Sequence, residues 1–253
     1  MGVARPVSGP LIRGLDDRDQ LREYERKGIA VFKGIATLGG LGLVFVNDDT
    51  LKAERLIIAT GSRPRIPAIP GLAEAGYWTN REATTPTNVP DSAIVLGGGP
   101  VGIELAQLLR RLDAEVHLIE TSARLLERED ERVSVLVRDS LRGEGVDVRL
   151  GVDVGAVERR ACARVVRLES GADLSASELI LATGRAPRTD GLGLERVGIA
   201  DFVSGIDVDE RRRAADGVWA VGMSPVRCCS RMSRSTRRGS PAPTSSGNRC
   251  VRI

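Results

Sequence analysis

Three glycines at a fixed spacing, Gly97, Gly99 and Gly102, follow the apolar run Ala93-Ile-Val-Leu96 and precede a stretch of helical periodicity. That order has a definite chemistry. Gly97 allows a tight turn, Gly99 lets the backbone approach a diphosphate, and Gly102 lets a helix pack closely on the strand. The helix, opened by Pro100 and Val101, directs its N-terminal amides and the positive end of its dipole at phosphate charge. About twenty residues on, a second apolar run, Val116-His-Leu-Ile119, ends on Glu120, placed to accept hydrogen bonds from an adenosine ribose. A carboxylate there repels a 2′-phosphate, so the pattern favours NAD over NADP, while Arg124 lies close enough to keep NADP possible. A plainer reading makes these residues a glycine-rich turn of an ordinary α/β domain, with Glu120 a solvated strand end. Strand, glycines, helix, second strand and acid in sequence are the context the dinucleotide motif needs.

The elements around the motif alternate. Residues 16–26 look helical; 29–31, 34–38 and 43–46 read as short strands, with a turn at Asn47-Asp-Asp49. Leu56-Ile-Ile-Ala-Thr-Gly61 is a buried strand running into glycine, and the proline-stiffened stretch 63–71 reads as a domain crossing. After the motif, the periodicity predicts an apolar helix face at Ile103, Leu105, Ala106, Leu108, Leu109 and Leu112. A second helix, over 129–142, carries Val133, Leu136, Val137 and Leu141. A strand at 146–150, a hairpin at 154–159 and 163–168, and a returning strand at 179–182 complete an α/β, doubly wound Rossmann-like unit with a β insert.

Bulk properties narrow the classes. No apolar run is long enough to span a membrane, and the N-terminus lacks a signal-peptide core, so the cytoplasm is the expected compartment. The four cysteines form no framework, and one histidine offers little for a metal. Cys162 reads as an inert small residue in a sheet, and His117 as a satisfied core or edge residue. The net charge is +3, but the stretch from Ser224 to the end holds seven arginines and no acid. Removing those seven from the 37 basic residues leaves 30 against 34 acids, so the body carries −4. No aromatics interleave with the terminal arginines, so no nucleic-acid partner is expected.

Three stretches together resemble the pyridine-nucleotide disulfide oxidoreductases, flavoenzymes that include dihydrolipoamide dehydrogenase and mercuric reductase. They are Leu56-Ile-Ile-Ala-Thr-Gly-Ser-Arg-Pro64 with Ile66-Pro-Ala-Ile-Pro-Gly71; the Gly97–Glu120 unit; and Leu179-Ile-Leu-Ala-Thr-Gly-Arg-Ala-Pro187 with Thr189-Asp-Gly-Leu-Gly-Leu194. The resemblance implies that Ala59, Thr60 and Gly61 lie against FAD. It places Gly97, Gly99, Gly102 and Glu120 on the nicotinamide dinucleotide, which Ala182, Thr183 and Gly184 approach from the return strand. It puts Glu104 beside the flavin and nicotinamide rings, paired with a lysine, and makes Arg185 a structural hydrogen-bonder. It implies hydride transfer between nicotinamide and flavin, and a homodimer. The first flavin fingerprint, the redox cysteine pair, the lysine partner of Glu104 and the C-terminal interface domain are absent, and Arg188 stands where the family usually has asparagine. Bound FAD is therefore not expected in this chain. Residues 1–75 read as the C-terminal part of an FAD-binding domain, 76–200 as the NAD(P) domain and 201–222 as the return to the FAD domain. A non-catalytic NAD-binding module, or an NADH oxidase or ferredoxin reductase type without a redox disulfide, remains an alternative.

The family continues from Val-Trp-Ala-Val-Gly222 into Asp-Val-Thr-Gly, where this chain has Met223-Ser-Pro-Val226. Restoring one base before Met223 shifts each codon so that all four family residues are permitted. The same shift lets Arg231-Met-Ser-Arg234 read Thr-His-Val-Ala. Residues 223–253 are therefore expected to be a frameshifted, disordered tail.

Overall fold

The computed structural model describes residues 16–85, 88–200, 202, 204–222 and 225–227. The chain forms two compact units, one spanning Pro64–Arg185, the other Leu15–Arg63 together with residues from Ala186 on. Both crossings follow an Ala-Thr-Gly stretch by a few residues.

The Pro64–Arg185 unit is built on a four-stranded parallel sheet in the order Glu178–Leu181, Ser92–Leu96, Glu115–Glu120, Asp147–Leu150. The strand first in sequence is thus flanked by the second and the last, so the direction of winding reverses beside Ser92–Leu96. Parallel strands buried on both faces read as continuous apolar runs, and here alternate residues serve opposite layers. Ala93 and Val95 join Leu105, Leu109 and Leu141 on the helical side. Ile94 and Leu96 join Val166, Leu168 and Leu174 under an antiparallel sheet. That sheet holds three strands, Val154–Arg160, Ala163–Leu168 and Asp173–Ala176, where the sequence reading has a hairpin. The third strand is short, and its buried face is only Leu174 and Ala176. Trp78 pairs with the outer edge of the parallel sheet, its N–H donating to Leu179 O at 2.7 Å.

The helix Pro100–Arg111 has Gly99 at its N-cap and proline in its first turn, where the missing N–H costs nothing. Arg110 and Arg111 in the last turn complement its dipole. It buries Gly102, Leu105, Ala106 and Leu109, while Leu108 turns outward. Glu131–Gly143 starts at Asp130, whose carboxylate accepts from Arg132 N–H at 2.9 Å. Its inward face is Ser134, Val137 and Leu141; Leu136 is 70% exposed and Val133 42%. Val137 and Leu141 of the expected set pack on the core, while Ser134 rather than Val133 turns in, satisfied there by its hydroxyl donating to Leu125 O. Hydropathy alone ranks Val133 above serine.

The other unit carries the exposed helix Arg18–Arg26 and an antiparallel sheet of Ala36–Gly40, Leu43–Val46 and Asp49–Lys52. The turn at Asn47 lies in the left-handed region, φ 52°. Residues 29–31 form no strand, since no neighbour offers them a ladder among the described residues. A second sheet pairs Arg213–Ala215 with Val218–Ala220, and the latter in parallel with Leu56–Ile58. Val218 and Ala220 are buried, Trp219 half-buried, and Ile57 on the edge strand 59% exposed. Pro225–Arg227, within the expected tail, forms a short strand beside Ile206–Asp207, and residues 223–224 lie outside the described residues. Residues 228–253 lie outside the described residues. No helix among the described residues is long and apolar enough to cross a membrane.

Candidate functional site

The fingerprint turn sits where the sheet reverses its winding, which in open α/β sheets is where a crevice opens beyond the strand ends. Gly97 N–H donates to Ile119 O and Ala182 N–H to Leu96 O, both at 2.8 Å, so the turn is tied to strands on either side. The glycines do different work. Gly97 has φ +112°, and a Cβ there would lie 2.4 Å from Ala182 O. At Gly102 a Cβ would lie 1.9 Å from Gly97 O and 3.2 Å from the Ala182 methyl. Both are demanded by backbone packing. Gly99 is at φ −79° with nothing within 4 Å of its would-be Cβ. The helix behind it has no side-chain cap and no acid in its first turn. The helix opening therefore has no side-chain acceptor of its own, and the open side of Gly99 lies at the dipole's positive end, as a diphosphate requires. The residues present fit a dinucleotide.

At the end of the second strand, Glu120 Oε2 accepts from Gly98 N–H at 2.5 Å and Oε1 from Ser122 N–H at 2.8 Å. The Ser122 hydroxyl donates to Glu127 Oε2 at 3.1 Å, so two carboxylates converge on Ser122. The cation left available by the sequence reading is engaged elsewhere. Arg124 Nη1 donates to Glu129 O at 2.8 Å and Ser134 Oγ at 3.0 Å, and Nη2 to Glu127 O. Three residues outside the sequence reading, Gly98, Ser122 and Ser134, thus join the hydrogen-bond cluster around Glu120 and Arg124. Only Gly98 had a signal, a third consecutive glycine where the fingerprint asks for none.

The return strand brings Ala182 against Gly97 and Gly102. Thr183 and Gly184 also hold backbone: the Thr183 hydroxyl donates to Arg65 O at 2.8 Å, and Gly184 O accepts from Arg65 N–H at 2.9 Å. In the other unit, the Thr60 hydroxyl donates to Arg188 O at 2.6 Å, and Gly61 O accepts from Arg188 N–H at 3.0 Å. Ala59 is exposed. Each Ala-Thr-Gly thus clamps one arginine's main chain.

Glu104 is exposed on the fingerprint helix and forms no ion pair among the described residues. Arg185 Nη1 donates to Asn80 Oδ1 at 3.1 Å. Cys162 is exposed in the turn between Val154–Arg160 and Ala163–Leu168, not within a strand, because left-handed Ala161 (φ 51°) ends the first of them. His117 is satisfied: Nδ1 lies 2.9 Å from Asp147 Oδ2. Burial alone would raise the Asp147 carboxyl; hydrogen bonds from His117 and Arg149 outweigh it and hold it below the ordinary carboxylate value. The stabilisation from that carboxylate is present at neutral pH and fades as the pH falls through the lowered value. Among the described residues, no group of three or more His, Cys, Asp or Glu could hold a metal.

These features define an α/β protein of the doubly wound, Rossmann-like class. The chain belongs to the pyridine nucleotide-disulphide oxidoreductases, whose sequence profile matches residues 17–224. These are FAD-dependent enzymes that use NAD(P) and are typically homodimeric. A glutathione reductase of Burkholderia cepacia is 36% identical over 203 residues, 79% of this chain and 45% of that protein. A mercuric reductase of Streptomyces lividans is 37% identical over 214 residues, 81% of this chain and 44% of that protein. The HOCl-induced flavoprotein disulfide reductase RclA from Escherichia coli superposes with a TM-score of 0.78 at 27% identity, covering 85% of this chain and 50% of that one. The chain spans about half the length of the relatives it matches.

Proposed function

We propose that this chain holds the nicotinamide dinucleotide of an FAD-dependent NAD(P)H oxidoreductase, with NAD(H) preferred. The open side of Gly99, at the sheet's reversal of winding, carries the reading. The diphosphate rests on the amides that open the Pro100–Arg111 helix, and Glu120 takes the adenosine ribose. A 2′-phosphate would meet Glu120 and Glu127 with the Arg124 guanidinium already engaged. The bound nicotinamide supplies or accepts hydride. The chain positions it: Ala182, Thr183 and Gly184 border the crevice, and Glu104 stands by the rings. Ala59, Thr60 and Gly61 belong to the flavin side, within the portions at 1–75 and 201–222 that flank the nucleotide portion at 76–200.

FAD itself needs a second diphosphate cradle. Among the described residues only one glycine turn opens a helix longer than four residues, and the nicotinamide dinucleotide claims it. That single cradle favours a second reading, a dinucleotide-binding module without catalysis of its own. Purified protein is expected to show saturable binding of NADH, tighter than NADPH, by nicotinamide fluorescence, and no stoichiometric flavin absorbance. A yellow protein with bound flavin would overturn the second expectation; absence of saturable NADH uptake would overturn the first.

The match to the family ends at residue 224, beside the frame break proposed at Met223. Resequencing the gene across that junction tests it: an intact frame, with no lost base, removes the idea.

A further inference from the structure

The middle glycine of the Gly97-Gly98-Gly99 run is held on both sides of its backbone. Its N–H is taken by Glu120, and its carbonyl accepts from Leu126 N–H at 3.0 Å. A Cβ there would lie 2.6 Å from Leu125 Cδ2 and 2.9 Å from Glu120 Oε2. The orientation of this peptide sets the line of the turn into Gly99. The donor, Leu126, is in the left-handed region at φ 49°, where a leucine stays only if its surroundings hold it. Arg124 and Ser134 supply that hold. The Arg124 guanidinium ties together the carbonyls of Glu127 and Glu129 and the Ser134 hydroxyl. Ser134, 3% exposed, donates in turn to Leu125 O. A planar fork reaches several acceptors at once; a lysine ammonium at the same place does not.

We propose that Arg124 is a positioning residue for dinucleotide binding. With Ser134 it straps the loop after the second strand, so that Leu126 and Glu120 together fix the Gly98 peptide. In doing so it withholds its charge from the adenosine 2′ position. The inference rests on the dinucleotide reading above, and it differs from a direct role in a testable way. A cation that grips a 2′-phosphate matters for NADPH alone and is replaceable by lysine. A strap matters for NADH and is not.

The test compares NADH and NADPH dissociation constants for the full chain, Arg124→Ala, Arg124→Lys and Ser134→Ala. Val148→Ala, a core truncation in the edge strand of the same sheet, serves as the destabilised control. Arg124→Ala is expected to weaken NADH about tenfold, the equivalent of about one lost hydrogen bond. Arg124→Lys should fall with it, Ser134→Ala should move the same way, and the NADH-to-NADPH preference should stay. Val148→Ala should lose thermal stability and keep its NADH affinity. Should Arg124→Ala not fold, the lysine and Ser134 variants carry the same expectation. NADH affinity in the folded variants within about twofold of the unaltered chain overturns the proposal. So does loss confined to NADPH, or an equal loss in Val148→Ala. An unaltered chain that takes up no NADH instead removes the dinucleotide reading itself, a separate failure.

Discussion

Gly102→Ala is expected to abolish saturable NADH binding, while Gly99→Ala is expected to weaken it and leave the fold intact. The two substitutions add the same methyl group to the same turn, three residues apart, and meet opposite surroundings. At Gly102 the new carbon would lie 1.9 Å from a main-chain oxygen, which no side-chain rearrangement relieves. The helix must back away from the strand, at a cost toward the top of the ~1–3 kcal/mol typical of overpacking. The amides that open the helix then move with it, and the thermal midpoint falls. At Gly99 nothing lies within 4 Å, so the protein absorbs the methyl without strain, and the loss appears only when a diphosphate tries to approach. A tenfold or larger rise in the NADH dissociation constant, about 1.4 kcal/mol or more, with an unchanged melting curve is the expected signature. If Gly99→Ala binds NADH like the unaltered chain, that side of the turn is empty for some other reason and the site assignment fails.

Glu120→Ala is expected to weaken NADH roughly 10–100-fold and to erase most of the preference over NADPH. The carboxylate does two jobs: it accepts from Gly98 and Ser122 amides, and it presents negative charge at the ribose. Hydrogen bonds to a charged acceptor are worth about 1.5–3 kcal/mol, which sets the range. Glu120→Gln separates the jobs. It keeps an acceptor for Gly98 and removes the charge, so NADH should weaken less than in the alanine variant while NADPH gains. Dissociation constants for both coenzymes across the three proteins decide the matter. Glu120→Ala with undiminished NADH affinity and preference would falsify the assignment of the ribose end.

The nucleotide unit was legible because its signals are local and redundant. Turn glycines, a proline opening the helix and a strand ending in an acid each mark one position, and each agrees with the next. Where the reading missed, the information was relational. Ser134 turns inward only because Leu125 offers it a carbonyl. Leu108 turns outward because the helix packs through Gly102, Leu105, Ala106 and Leu109. Arg124 looked like a spare cation since nothing in a linear pattern shows that three loop acceptors converge on it. Thr60 and Thr183 carry the least visible lesson. Nothing in the Ala-Thr-Gly pattern shows that their hydroxyls hold the main chain of Arg188 and Arg65. Residues 29–31 failed in another way: apolar, extended character does not make a strand without a neighbour to pair with.

The chain has two tryptophans, and they fall one in each compact unit: Trp78 beside Ile180, and Trp219 in the strand paired with Leu56–Ile58. Each body therefore has a native optical reporter. Indole emission from a Trp219→Phe protein comes from Pro64–Arg185 alone, and indole emission from Trp78→Phe from its counterpart. Urea titrations followed in the two single-indole proteins would distinguish one concerted melting event from two independent ones, without labels or truncation.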